Sequence, residues 1–251
     1  MAEARKSKPV IVKRISAPKP YDVLADQLRE AILRGEISAG EALPPERELV
    51  AQTGLSRGSV REALRTLVGE GLVQTRPGRF GGNVVTLPGK ESMANAIAQF
   101  VRGRKLPLRT LQETREALEP ALARLAAVHR TDEDLLELKS LHDDLIASVG
   151  NFQEFALANI KWHNAVARSS RNELLAAVLY SISYGVAVST MTEEYDTMDT
   201  RKQVIGIHSR IIDAIEARDA DLAEQRMRQH IGATHARATA PGTAAIPLSD
   251  D

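Results

Sequence analysis

From Glu91 to Ala238 the apolar residues of this chain recur at helical spacing almost without interruption, and that periodicity leaves little besides an all-α bundle for the larger part of the molecule. Helices are predicted over about 91–103, 107–130, 132–149, 151–169, 172–193, 197–218 and 219–238, with breaks at Pro107, Thr131, Gly150 and Asp219. The stretch from Leu174 to Thr192 carries no charge and approaches the length of a membrane span. Its serines, threonines and Gly185, and the acidic Glu193, Glu194 and Asp196 that follow, read instead as the central helix of a bundle, so no membrane partner is expected.

The first third is patterned differently. Residues 1–20 carry Pro9, Pro18 and Pro20 among scattered lysines and arginines and read as a disordered basic arm. Tyr21, Leu24, Leu28 and Ile32 form one stripe of a helix ending near Gly35. A second short helix starts at Pro45 and stops at Gly54, and a third, capped by Ser56, runs to about Gly71. A strand from Leu72 to Thr75, a turn through Pro77, Gly78, Gly81 and Gly82, and a return strand from Val84 to Leu87 complete the unit. The fold class is therefore mostly α: an N-terminal winged helix-turn-helix of three helices plus a β-hairpin (21–88), an all-helical bundle (91–238) and a disordered tail (239–251).

Charge separates the same two regions. The 33 Lys+Arg balance the 33 Asp+Glu overall, yet residues 1–90 hold 15 basic against 10 acidic side chains, so a basic front is hidden by an acidic back. The absence of cysteine excludes a disulfide scaffold, a thiolate metal site and a thiol nucleophile. On the third helix Arg57, Arg61 and Arg65 stand four apart beside the apolar stripe, where they can fork onto phosphate or guanine. Ser56 and Ser59 can set the helix N-terminus against phosphate, and Arg76 and Arg79 flank the glycines of the wing. Double-stranded DNA is the partner this predicts.

The segments Leu43-Pro-Pro-Glu-Arg-Glu-Leu49, Gly54-Leu-Ser-Arg-Gly-Ser-Val-Arg-Glu-Ala-Leu64, Gly71-Leu-Val and Gly81-Gly82 resemble the DNA-binding domain of the GntR bacterial transcription regulators. The resemblance implies operator contacts at Arg47, Arg57 and Arg61, and at the wing-tip Gly78, which Pro77 precedes where some relatives have histidine.

In the bundle, the stripe Phe152, Phe155, Asn159, His163, Val166 turns Asn159 and His163 inward. His208 lies with Val204, Ile211 and Ile215, and His230 with Ala223 and Met227. His129 falls on the stripe of Leu118, Leu122 and Leu125 as well, but near the helix end. Three imidazoles directed into one bundle predict a divalent transition-metal site at Asn159, His163, His208 and His230, with zinc or nickel favoured. These residues, with Ser169-Ser-Arg-Asn172, resemble the metal-carrying branch of the FadR-type C-terminal (FCD) ligand domain, which usually has aspartate where this chain has Asn159. Arg115 sits among Leu111, Leu118 and Leu122, so its guanidinium either pairs with Glu119 one turn on or forks onto the carboxylate of a small effector. The resemblance favours the second reading, with Asn172 and Tyr184 as further effector-cavity residues.

The function expected is that of a cytoplasmic, homodimeric, ligand-responsive repressor released from a palindromic operator by a small carboxylate. Two alternatives stand beside it: a metal-dependent hydrolase with an appended DNA-binding domain, and an architectural DNA binder with a structural bundle. No general-base carboxylate at the His-Glu-x-x-His spacing supports the hydrolase.

Overall fold

A computed structural model describes residues 18–77, 82–190 and 197–238, of which the side chains of 108, 184–190 and 234–238 are left undescribed. The chain divides into two compact units, Met1–Pro88 and Gly89–Asp251.

In the first unit α1 (Pro20–Leu33), α2 (Glu46–Thr53) and α3 (Arg57–Gly69) precede an antiparallel hairpin, β1 (Val73–Arg76) and β2 (Gly82–Val85), in the register Val73↔Val85 to Arg76↔Gly82. Pro20 opens α1, where its missing N–H loses no helical bond. Gly54 closes α2 in the left-handed region at φ 70°, and Ser56 caps α3 by accepting from the Ser59 amide at 3.1 Å. The strands sit one to two residues from the sequence expectation. The core is formed by Leu24, Ile32, Leu49, Val60, Leu64 and Leu67, with Leu72, Val73 and Val85 contributed by the hairpin. Arg29 forks onto Glu70 at 2.7 and 2.8 Å and so ties α1 to the end of α3.

The second unit is helical throughout its described residues: α4 (Lys90–Arg104), α5 (Leu108–His129), α6 (Asp132–Ala147), α7 (Phe152–Ser169), α8 (Glu173–Thr190), α9 (Met198–Glu216) and α10 (Ala220–Ala238). The start of α6 is fixed by a capping box in which Thr131 and Asp134 exchange side-chain and backbone bonds. The core joins Ala123, Ala126, Leu138, Trp162, Val166, Ile211, Ile215, Met227 and Ile231. The ends of α5 and α9 are clasped by exchanged arginines. Arg130 donates to the Glu216 carbonyl at 2.9 Å and to the Ile215 carbonyl at 3.4 Å, while Arg218 donates to the carbonyls of Val128 at 3.1 Å and Arg130 at 3.3 Å. Orphaned C-terminal carbonyls of each helix are thus satisfied from the other. The uncharged segment beginning at Leu174 forms α8, and no helix among the described residues is long and apolar enough to cross a membrane.

Candidate metal and effector centre, and the nucleic-acid surface

Three helices meet at the centre of the second unit, and each delivers one imidazole. His163 on α7, His208 on α9 and His230 on α10 are 3%, 0% and 3% exposed. Their Nε2 atoms converge: His208 to His230 is 3.0 Å and His230 to His163 is 3.4 Å. Two nitrogens each about 2.0–2.1 Å from a common ion are about 2.9–3.4 Å apart for octahedral to tetrahedral angles, so these spacings are those of ligands around one metal.

What orients the first imidazole is a carboxylate from a fourth helix. His163 donates from Nδ1 to Glu119 of α5 at 2.5 Å, which turns its Nε2 toward the other rings. Glu119 is 2% exposed, and its other oxygen accepts from Arg115 Nε, also at 2.5 Å. Burial on its own raises the Glu119 pKa, but Arg115 and His163 outweigh it and hold the carboxyl well below the usual range, so it stays ionised. His208 is displaced the other way. Burial, reinforced by His230 and His163, keeps its imidazole well below its ordinary pKa and therefore neutral, the state in which it can ligate a metal. Its ring stacks on Trp162 at 3.7 Å with a tilt of 13°.

Asn159 lies one turn before His163, and its Oδ1 is buried with no hydrogen-bond partner among the described residues. A buried carbonyl oxygen without a donor, one helical turn from His163, fits a cation, since such an acceptor is otherwise a net cost. The donor set therefore suits a borderline divalent ion.

Arg115 is 7% exposed, and the two readings of it prove compatible. Its pair with Glu119 uses Nε, and among the described residues no hydrogen bond engages either terminal nitrogen. The forked end of the guanidinium remains available. Asn172 is spent on local structure: its Oδ1 accepts from the Leu175 amide and caps α8, the alternative role that asparagine at such a position commonly takes. The side chain of Tyr184 and the whole of Gly78 lie outside the described residues. His129, near the helix end as its position suggests, is exposed in the last turn of α5. His142 bonds the Ile205 carbonyl at 3.0 Å.

Sequence reasoning missed two members of this centre. Glu119 was weighed as a partner for Arg115 and not for a histidine 44 positions away. Gln112, one turn before Arg115, stands amid Glu113, Thr114 and Glu116 and carries no sequence signal of burial, yet it is fully buried.

In the first unit the predicted cationic edge is exposed. Arg47, Arg57, Arg61 and Arg65 all face solvent, as do Ser56 and, at the end of β1, Arg76, while Ser59 is half-buried. Arg61 borders a groove lined by Leu43, Pro45, Glu46, Arg65 and Asn83, and its Nε bonds Glu46 at 2.9 Å. Arg65 pairs with Glu62. Such surface pairs are worth at most about 1 kcal/mol and open readily to a polyanion.

Comparison with known proteins agrees with both units. Residues 20–80 match the family model described as "Bacterial regulatory proteins, gntR family", and residues 110–233 match the FCD domain. The galactonate operon transcriptional repressor of Escherichia coli strain K12 is 30% identical over 209 residues, covering 81% of this chain and 90% of that protein. The chain belongs to the GntR family. Other similar regulators are the Glc operon transcriptional activator of the same strain, 28% identical over 84% of this chain and 85% of its own length, and the HTH-type transcriptional repressor NanR of Cronobacter sakazakii, 26% identical over 88% and 86%. A solved structure, Streptococcus agalactiae GntR, superposes with a TM-score of 0.64 at 24% identity over 86% of this chain and 98% of that one, which supports the fold. As a GntR-family protein with an FCD domain, the molecule is a DNA-binding transcription regulator and not an enzyme, and nothing in these relatives favours the hydrolase alternative.

Proposed function

We propose that the protein is an operator-binding repressor that a small carboxylate releases, with the carboxylate held by Arg115 beside a metal bound to His163, His208 and His230. The observation that carries this reading is the Arg115–Glu119–His163 chain. One buried acid neutralises the arginine through Nε and orients a metal-ligand histidine, while leaving the terminal guanidinium nitrogens for a ligand. Zinc or nickel suits the three imidazoles, with Asn159 supplying a neutral oxygen. When bound, the ion supplies positive charge and coordination positions for an anionic oxygen. The chain's own part is to bring the three imidazoles together through Nε2, to keep His208 neutral, and to present Arg115 at the distance of one helical turn from Glu119.

In the DNA-binding unit, Arg47, Arg57, Arg61 and Arg76 with Ser56, Ser59 and Gly78 form the operator surface. Two copies acting as a homodimer would read an inverted repeat in cytoplasmic DNA, the geometry by which dimeric helix-turn-helix proteins match two half-sites. Binding of effector then shifts the population between operator-competent and operator-incompetent arrangements. The direction follows the galactonate and NanR repressors among its relatives, although the similar Glc protein is an activator.

The test is selection of a duplex from a random pool, followed by displacement with a panel of carboxylic acids, with and without chelator. Release by at least one acid, lost on chelation and in Arg115→Ala that still binds the duplex, is the expected result. An Arg115→Ala protein with unchanged response would overturn the assignment.

A further inference from the structure

Gln112 sits in the second turn of α5 with no exposure to solvent, and both polar atoms of its amide, Oε1 and Nε2, lack a hydrogen-bond partner among the described residues. A fully buried carboxamide with neither its donor nor its acceptor satisfied is rare in folded proteins and calls for a group that the protein alone does not contain. Its position says which group. Residues 112, 115 and 119 fall within about 60° of one another on the helical wheel, so Gln112, Arg115 and Glu119 form a single polar stripe on an otherwise apolar face. The stripe runs from the imidazole centre through the free fork of Arg115 to Gln112, about 4.5 Å further along the axis.

We infer that Gln112 is a specificity residue that reads an alcohol on the effector, accepting from a hydroxyl at Oε1 and donating to an oxygen through Nε2. This rests on the carboxylate reading above and adds the second half of the ligand. Gln112 stands about 4.5 Å along the helix axis from Arg115, so the hydroxyl it reads belongs to the part of the ligand remote from the carboxylate. An aliphatic acid would satisfy Arg115 and leave the amide stranded, so it is discriminated against by the same unpaired dipoles that make the empty site costly. Water is the competing occupant of the amide. It would satisfy Gln112 in the free protein but would confer no preference between an acid and its hydroxylated counterpart.

The experiment uses the full-length, metal-loaded protein. The chain's one tryptophan, Trp162, stacks on His208 and reports ligand entry by its fluorescence, and calorimetry provides a second readout. Matched pairs are titrated: butyrate against 4-hydroxybutyrate, pentanoate against 5-hydroxypentanoate, and hexanoate against 6-hydroxyhexanoate. The wild type is expected to prefer at least one hydroxylated member by about 10- to 100-fold. Gln112→Leu and the volume-matched Gln112→Met should erase that preference to within about twofold by weakening the hydroxylated member alone. Their thermal midpoints without ligand should be equal to or above that of wild type, because an unpaired amide has been removed. Equal binding of both members of every pair by the wild type, or retained discrimination in both variants, would overturn the role of Gln112 while leaving the carboxylate reading intact. Failure of every acid to bind the wild type would overturn both.

Discussion

Glu119→Gln is the most informative single change, because one carboxylate serves two buried partners. Glutamine keeps the shape and can still accept from His163 Nδ1 or Arg115 Nε, but it removes the negative charge that both contacts at 2.5 Å depend on. Arg115, 7% exposed, is then left as an unneutralised buried cation, a loss that costs about 3–5 kcal/mol in comparable pairs. For a domain of this size each kcal/mol lowers the midpoint by about 2–4 °C, so the metal-free variant should melt about 6–20 °C below wild type. Metal affinity should fall separately, by about 10- to 100-fold, since the amide no longer enforces the tautomer that points the His163 lone pair inward. Calorimetric melting in chelator measures the first effect and competition with a chromophoric chelator the second. Restoration of most of the lost stability by the double variant Arg115→Met/Glu119→Gln would identify the stranded guanidinium as the cause. A Glu119→Gln protein within about 1 kcal/mol of wild-type stability, with metal affinity changed less than threefold, would refute the reasoning.

Other expectations follow from the same geometry. Asn159→Asp, by adding a charge where an orphaned oxygen now lies, should tighten zinc or nickel binding by about tenfold or more, measured by the same competition assay; an unchanged constant would remove Asn159 from the ligand set. Arg61→Ala should weaken cognate operator binding by about 1–3 kcal/mol, and unchanged affinity in this variant and in Arg47→Ala and Arg57→Ala would refute the DNA surface. Metal-free protein should lose stability as pH falls. His208 is held below its ordinary value of 6.5, so the unfolded chain takes up a proton below that pH before the folded chain does. Glu119 adds to the loss below about 4.5, where the unfolded carboxylate protonates first. Denaturant midpoints that rise between pH 7 and 5 would contradict this. Nickel should quench Trp162 fluorescence far more than zinc, given the 3.7 Å stack on His208, and equal spectra with the two ions would place the metal elsewhere.

The winged unit was legible because its boundaries are set by local chemistry: Pro20 at a helix start, Ser56 as a cap, Gly54 at positive φ. The three inward histidines were legible for a related reason, since each shares a stripe with apolar neighbours on its own helix. Glu119 and Gln112 were not. Both lie in a run of α5 that alternates polar residues on every side, and only packing against other helices decides which of them is interior. The pairing of Glu119 with His163 spans 44 residues and is a property of the assembled bundle, beyond the reach of periodicity. His129 shows the limit of phase alone: it shares the apolar phase but belongs to the last turn, where α5 leaves it in solvent.

The exchanged arginines make the C-terminal ends of α5 and α9 the place about which a swing of α5 would turn. Arg130 and Arg218 fasten the C-terminal ends of the two helices to one another, whereas Arg115 and Gln112 lie toward the opposite end of α5, whose 22 residues extend about 33 Å. Leverage follows from this arrangement: a swing of one degree about the fastened end carries the first turn of α5 through about half an ångström. Displacement on this helix therefore grows steadily from the arginine clasp toward Leu108. The chain continues from that end, through α4, to the segment that carries the proposed operator contacts.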